Sequence, residues 1–492
     1  MSELAERTDI LYIAYYFPPV GGAGVQRSLK FCRYLPDHGF RPIVLTGSGA
    51  TLGRWEPIDT TLAQEVGDDC VILRPETPAP DQRLATRSQR WLGRPSAFAK
   101  WWRRQILTYG RRAARDFEPR AIFVSLSPYE GLEAAVRLGD ELGLPVIADL
   151  RDPWALDEVR IYTSAWHRER EVRDMARLLS QCERVIWNTP EARSAAIARI
   201  TSLDEDRQDC ITNGYDARDF EAHDIRAPDG TFRILHTGYL HTAMGLAHRD
   251  RSRLQRRLGG ELFPVDFLPR SHWYLLAALE QLRERSPDVA NKIDLRLVGV
   301  LSDADEARIA RSPVQDRVTK LGYLDHDSTV AEMVAADLLF LPMHDLPAGP
   351  RARIVPGKTY EYLAAGRPIL AAVPPGDAQD FVRAADAGTI VRPTDFVKMA
   401  EAIEAEVARA PRPRRAASSA VTRFERRALT VDLATVLRRA LGRSIEDTPR
   451  GAPATEAPEA GATARSLDET ELREDGLSEP VRLAESRPSG SA

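Results

Sequence analysis

The stretch Ile10-Leu-Tyr-Ile-Ala-Tyr-Tyr-Phe-Pro-Pro-Val-Gly-Gly-Ala-Gly-Val25 decides how the rest of this chain is read. Ile10 to Tyr16 is a short apolar, aromatic run of the kind covered on both faces in a parallel sheet. Pro18, Pro19, Gly21, Gly22 and Gly24 make a turn. Val25, Leu29, Phe31 and Leu35 then recur at helical spacing as far as His38-Gly39, a glycine stop. Pro42-Ile-Val-Leu-Thr46 is the next strand, so the chain opens with a βαβ unit.

The same alternation continues outward. Strands are predicted at Ala121–Ser125, Pro145–Asp149 and Arg184–Asn188, with helices such as Glu130–Leu142 between them. The pattern breaks in the turn Ile211-Thr-Asn-Gly-Tyr-Asp216, and a polar stretch runs to Gly230. A second series follows, with strands at Phe232–His236, Asp294–Val298, Val318–Leu321, Leu338–Leu341 and Pro368–Ala372. Its helices include Trp273–Glu284, Ser328–Ala336 and Thr359–Ala365. The expected fold is α/β: two doubly wound, Rossmann-like domains facing a cleft, over 1–220 and 221–420. A helix at 421–443 is expected to pack back on the first domain. The Pro-, Gly-, Ala-, Ser- and Glu-rich tail 444–492 is expected to be disordered.

Composition narrows the class. The 492 residues carry a net charge of -4, which gives no overall attraction for nucleic acid. The polar, acidic start lacks a secretory layout, and no apolar run is long enough to span a membrane. Cys32, Cys70, Cys182 and Cys210 are scattered and read as free thiols in a reducing compartment. The expected location is cytoplasmic, or peripheral on the cytoplasmic face of the plasma membrane.

Several constellations could carry chemistry. Gly21, Gly22 and Gly24 would let backbone N–H groups approach a phosphate. Arg27 stands where a dinucleotide fingerprint needs its third glycine, and Thr46-Gly47 ends the second strand without an acid. Farther on, Lys358 and Glu361 in Pro356-Gly-Lys-Thr-Tyr-Glu-Tyr362 share one face of a first helical turn. A lysine there is unfavourable for the helix dipole unless an anion is present. A diphosphate would supply the anion, and Glu361 could take two ribose hydroxyls. Asp149-Leu-Arg-Asp-Pro-Trp154 ends a strand at the cleft rim. There Arg151 either pairs with an aspartate to fix the loop or serves the acceptor, with Asp152 in reach of its hydroxyl as base. Ser127 would line the same rim. The spaced acids Asp204/Asp206, Asp303/Asp305 and Asp325/Asp327 precede helices and read as caps, so no metal is expected. Arg83 to Arg115 mixes many basic residues with Trp91, Trp101 and Trp102 and holds no acid. Those tryptophans, with Arg103 and Arg104, suit contact with an anionic membrane.

Five segments in order resemble the retaining GT-B glycosyltransferases of family four, of exopolysaccharide and glycolipid type. They are the Pro-Pro-x-Gly-Gly start, Ala148-Asp-Leu-Arg-Asp-Pro-Trp154, Thr212-Asn-Gly-Tyr-Asp216, His236-Thr-Gly-Tyr239 and Lys358-Thr-Tyr-Glu-Tyr-Leu-Ala-Ala-Gly-Arg-Pro368. The resemblance spans roughly residues 9–443. It implies a nucleotide-diphosphate sugar as donor and a glycan or lipid-linked saccharide as acceptor. It also implies that Glu361 binds the ribose, that Gly21 to Gly24 lie against the donor, and that the Gly238 loop approaches the phosphates. Members carry a basic residue shortly after that glycine. Arg270 is the candidate, with Arg249 and Arg253 as competitors because an arginine-rich insertion from about His241 to Leu268 intervenes. The family often has a glutamate eight residues before the ribose glutamate. Here Arg353 stands there, and could reach phosphate or an acidic sugar. Two other readings stay open: a glycan- or lipid-binding protein on a degenerate scaffold, and a GT-B nucleotide-sugar epimerase.

Overall fold

The structure, a computed structural model, describes residues 7–21, 23–49, 58–81 and 95–442. Gly22, Trp91 and the tail 444–492 lie outside the described residues. The first sheet has seven parallel strands: β1 (Thr8–Ala14), β2 (Phe40–Leu45), β3 (Val71–Leu73), β4 (Ala121–Leu126), β5 (Val146–Leu150), β6 (Arg184–Trp187) and β7 (Gln208–Cys210). Their order is β3-β2-β1-β4-β5-β6-β7. The second sheet has six: β8 (Phe232–Thr237), β9 (Ile293–Val298), β10 (Val318–Gly322), β11 (Leu338–Pro342), β12 (Ile369–Ala372) and β13 (Gly388–Val391), in the order β10-β9-β8-β11-β12-β13. In both sheets the order reverses beside the first strand, between β1 and β4 and between β8 and β11. Ligands of open α/β sheets bind at such points, at the carboxyl ends of the strands.

β1 and β4 are buried along their whole length, which explains their unbroken apolar runs. β3, β7 and β13 escape the sequence pattern because they are three- or four-residue edge strands with partly exposed side chains. Gly39 closes the first helical region in the left-handed conformation, with φ +82.

The helix Arg426–Ala440 returns to the first sheet. Leu429, Leu433 and Leu437 share one core with Ile10, Tyr12, Phe31 and Phe123. The crossing is pinned at Gly214, where Tyr215 N donates to Phe424 O and Arg426 N donates to Tyr215 O. A Cβ on Gly214 would lie 2.0 Å from Phe424 O, a clash with backbone. Gly214→Ala is therefore expected to destabilise the protein by about 1–3 kcal/mol, read from its thermal or urea midpoint.

The helix Ala97–Phe117 corrects part of the membrane expectation. Trp102 is buried in the first core with Phe98 and Ile106, so it is unavailable to lipid. Trp101 is half-buried and donates to Thr77 Oγ1 at 3.1 Å. Acids of the neighbouring helix, invisible in the local sequence, neutralise part of the charge: Arg103 meets Glu133 at 2.5 Å and Arg111 meets Glu141 at 2.7 Å. Arg104 remains exposed. Among the described residues no helix is long and apolar enough to cross a membrane.

Candidate active site

Both switch points contribute to one polar cluster. On the second domain, β8 is followed at once by Gly238, whose φ of +88 suits glycine. A Cβ there would sit 3.3 Å from Lys358 Nζ, so the lysine occupies the space that a side chain would need. Lys358 opens the helix Lys358–Ala365, which follows the Pro-, Gly- and Arg-rich loop after β11. Its ammonium donates to His236 Nε2 at 3.2 Å, while His236 Nδ1 donates to Phe340 O at 3.2 Å. That pairing fixes the neutral tautomer, and burial holds the His236 imidazole well below its usual range. Burial, reinforced by the Arg270 charge and opposed by Glu361, brings the Lys358 ammonium down to about 7.

Arg270 joins this group across the base of the insertion, where His241 N donates to Arg270 O at 3.0 Å. Its competitors are engaged elsewhere or exposed: Arg249 pairs with Asp266 at 2.5 Å, and Arg253 faces solvent. Burial lowers the Arg270 guanidinium, against the raising influence of Asp157, Asp152 and Glu158. Those carboxylates lie on the segment after β5, in the first domain, so charges of the two domains meet here. Burial also raises the Asp152 carboxyl, opposed by Arg151 and Arg270. Asp157 is pushed up to about 8 by burial and by Glu158 and Asp152.

Glu361 lines a small cavity with Lys30, Asp216, Asp219, His326 and Arg426. Burial raises its carboxyl, while His326 and Arg426 oppose. His326 bonds Asp219 at 2.9 Å and is raised to about 9, because that bond and the Glu361 charge outweigh its burial.

The loop at Asp149 is arranged differently from the Arg151–aspartate alternative. Asp149 pairs with Arg27 through two bonds of 2.9 and 2.6 Å, and both side chains are buried. Arg27 also donates to Ile211 O and Thr212 O. The residue that spoils the dinucleotide fingerprint is thus a buried tie between the first helix and the turn at Ile211–Thr212. Arg151 instead lies over the helix N-terminus, where a Cβ on Gly24 would be 2.8 Å from its Nη2. Gly21 is buried beside it, and Ser127 is half-buried after β4. Tyr129 stacks on Trp154 at 4.8 Å and donates to Asp152 O. Trp154 has φ +51, a conformation uncommon outside glycine and found at functional loops.

Arg353 does not point freely into a sugar pocket. Its Nη1 donates to Leu156 O at 3.1 Å, and its guanidinium lies over Phe263. Its backbone N–H and that of Ile354 donate to Glu158 Oε1. Glu158 is held low despite burial, since His344 and these N–H groups favour the anion. His241, His344, Asp157 and Glu158 are not marked out by the sequence, and His236 enters it only within the segment His236-Thr-Gly-Tyr239. The histidines were findable, because each sits at or just past the carboxyl end of β8 or β11. Asp157 and Glu158 carry no local pattern. The spaced acids act as caps: Asp204, Asp305 and Asp325 each accept a backbone N–H at a helix start.

Two parallel sheets that bring the carboxyl ends of their strands together around such a cluster define the GT-B architecture. Residues 267–408 match the family described as Glycosyl transferases group 1. Among curated proteins none matches the chain. Of solved structures, sucrose-phosphate synthase from Thermosynechococcus elongatus is similar at 16% identity and TM-score 0.60, covering 89% of this chain and 100% of that one. Anabaena HepE, in complex with UDP and glucose, aligns at 16% identity and TM-score 0.54 over 88% of this chain and 100% of its own. Trehalose 6-phosphate synthase from Burkholderia multivorans aligns at 12% and 0.55, over 89% and 97%. The chain therefore has the GT-B fold, and residues 267–408 of its second domain are similar to group 1 glycosyl transferases.

Proposed function

We propose that this protein transfers a sugar, a hexose by class, from a nucleotide-diphosphate sugar to a hydroxyl of a glycan or lipid-linked saccharide, with retention at the anomeric carbon. The observation that carries the reading is the meeting of Lys358, Arg270 and the Gly238 turn at the switch point of the second sheet. A half-buried lysine brought down to about 7 by desolvation and by a neighbouring guanidinium suits the binding of an anion. A diphosphate supplies it. Glu361, on the same helix, takes the ribose hydroxyls, and Gly21 and Gly24 border the donor from the other domain. Asp152 sits by the acceptor with Ser127 and Arg151, in a cytoplasmic setting that supplies nucleotide sugars.

The test is UDP binding measured by calorimetry across pH, UDP being the nucleotide named with HepE. Diphosphate favours the protonated lysine and so raises its pKa on binding. Affinity is expected to weaken by up to about tenfold per pH unit above the free value of about 7, and to fall again below about 6, where the terminal phosphate of UDP takes up a proton. Affinity for no nucleoside diphosphate at any pH would refute the assignment.

A further inference from the structure

The arginine-rich insertion between Gly238 and Arg270 touches the site only at its base, through His241 and Phe263, and is built onto both domains. Its rising arm carries the helices Thr242–Arg249 and Arg253–Arg257, the second closed by a Ser252/Gln255 capping box. Its returning arm crosses to the first domain. Ala165 N donates to Leu258 O at 2.7 Å, Tyr162 N donates to Gly260 O at 3.0 Å, and Arg168 bonds the carbonyls of Gly259 and Glu261. A Cβ on Gly260 would lie 1.9 Å from Tyr162 O, so the chains touch backbone to backbone.

This junction leaves large apolar side chains in water. Leu254 is 68% exposed, Leu258 45% and Trp166 55%. Leu258 N bonds Leu254 O, which sets the two leucines one turn apart on one face. The Ala165–Leu258 bond joins the backbone just before Trp166 to the end of this turn. Between His248 and Leu258 the sequence holds five arginines and one acid, Asp250. Arg253 and Arg257 are exposed and form no salt bridge among the described residues. Arg170 lies over the Trp166 ring at 5.9 Å. Exposed apolar tips grouped in this way mark a contact surface. Leucines that enter the headgroup boundary, a tryptophan at the same level and arginines free to meet phosphate together fit an anionic bilayer.

We propose that the Leu254/Leu258/Trp166 surface, with Arg253 and Arg257, docks the protein on anionic membranes. The insertion is rooted at the cleft, where His241 bonds Arg270 and Phe263 lies under Arg353. Docking there sets the cleft mouth against the lipid surface. The contact does not depend on the donor reading, since it is measured without substrate.

The experiment is co-sedimentation of the full chain with phosphatidylcholine vesicles with and without phosphatidylglycerol. Binding is expected to the anionic vesicles only, and to fall at high salt. Leu254→Ser/Leu258→Ser and Arg253→Gln/Arg257→Gln should each weaken it by on the order of tenfold or more. These side chains are exposed, so melting temperatures should not move, while Arg311→Gln, exposed elsewhere on the second domain, should leave binding unchanged. Three results would overturn the proposal: no binding to anionic vesicles, binding that survives both double variants, or a dimer in solution that Leu254→Ser/Leu258→Ser converts to monomer.

Discussion

Lys358→Ala is expected to lower kcat by about 100- to 1000-fold in a donor-dependent transfer or hydrolysis assay, with little loss of stability. In the proposed reaction negative charge develops on the departing diphosphate. The Lys358 ammonium, fixed against His236 Nε2 and next to the Gly238 turn, is positioned for that charge before it forms. Its partial burial lowers the local dielectric and strengthens the attraction. The fold should tolerate the change. The partner left behind is a neutral imidazole, and removing one cation relieves its repulsion with Arg270. A turnover within about threefold of the parent, at saturating donor, would mean that the leaving group is stabilised elsewhere.

The largest loss of stability is expected from Asp149→Ala. The Arg27 guanidinium would stay buried between the first helix and the turn at Ile211–Thr212 with its anion gone, keeping only the two carbonyls there. Breaking such a pair from one side costs about 3–5 kcal/mol, read from the shift in urea midpoint. The double variant Arg27→Met/Asp149→Leu removes both charges and fills the space, so it should recover most of that loss. If the single and double variants unfold alike, the pair is not what holds the turn at Ile211–Thr212 to the first helix.

The central strands and the two-domain series were legible because burial on both faces of a parallel sheet writes continuous apolar runs. Edge strands such as Val71–Leu73 and Gly388–Val391 leave no such trace. Gly238 and Lys358 were readable as parts of one site, since each sits where a strand ends or a helix begins. The identity of Arg270 among competing arginines was open in the sequence. The structure separates them by their partners, because Arg249 is bound to Asp266 while Arg270 faces the carboxylates of the other domain. The tie between Arg27 and Asp149 spans 122 positions, and no local spacing announces it. Trp102 misled for a related reason. A tryptophan among arginines looks like a lipid anchor until the sheet that covers it is known. The position of Arg353, eight residues before Glu361, suggests reach to phosphate or an acidic sugar. In the structure its backbone and guanidinium are used to join the two domains.

The return of the helix Arg426–Ala440 to the first sheet has a consequence for how the protein is made. Ile10, Tyr12, Phe31 and Phe123 leave the ribosome early, but the leucines that cover them come after the whole second domain. At a synthesis rate of about 5–20 residues per second, one face of the first sheet waits on the order of ten seconds or more for its cover. During that interval the nascent first half carries an open apolar face. The cell must either shield it or finish the chain before another copy finds it.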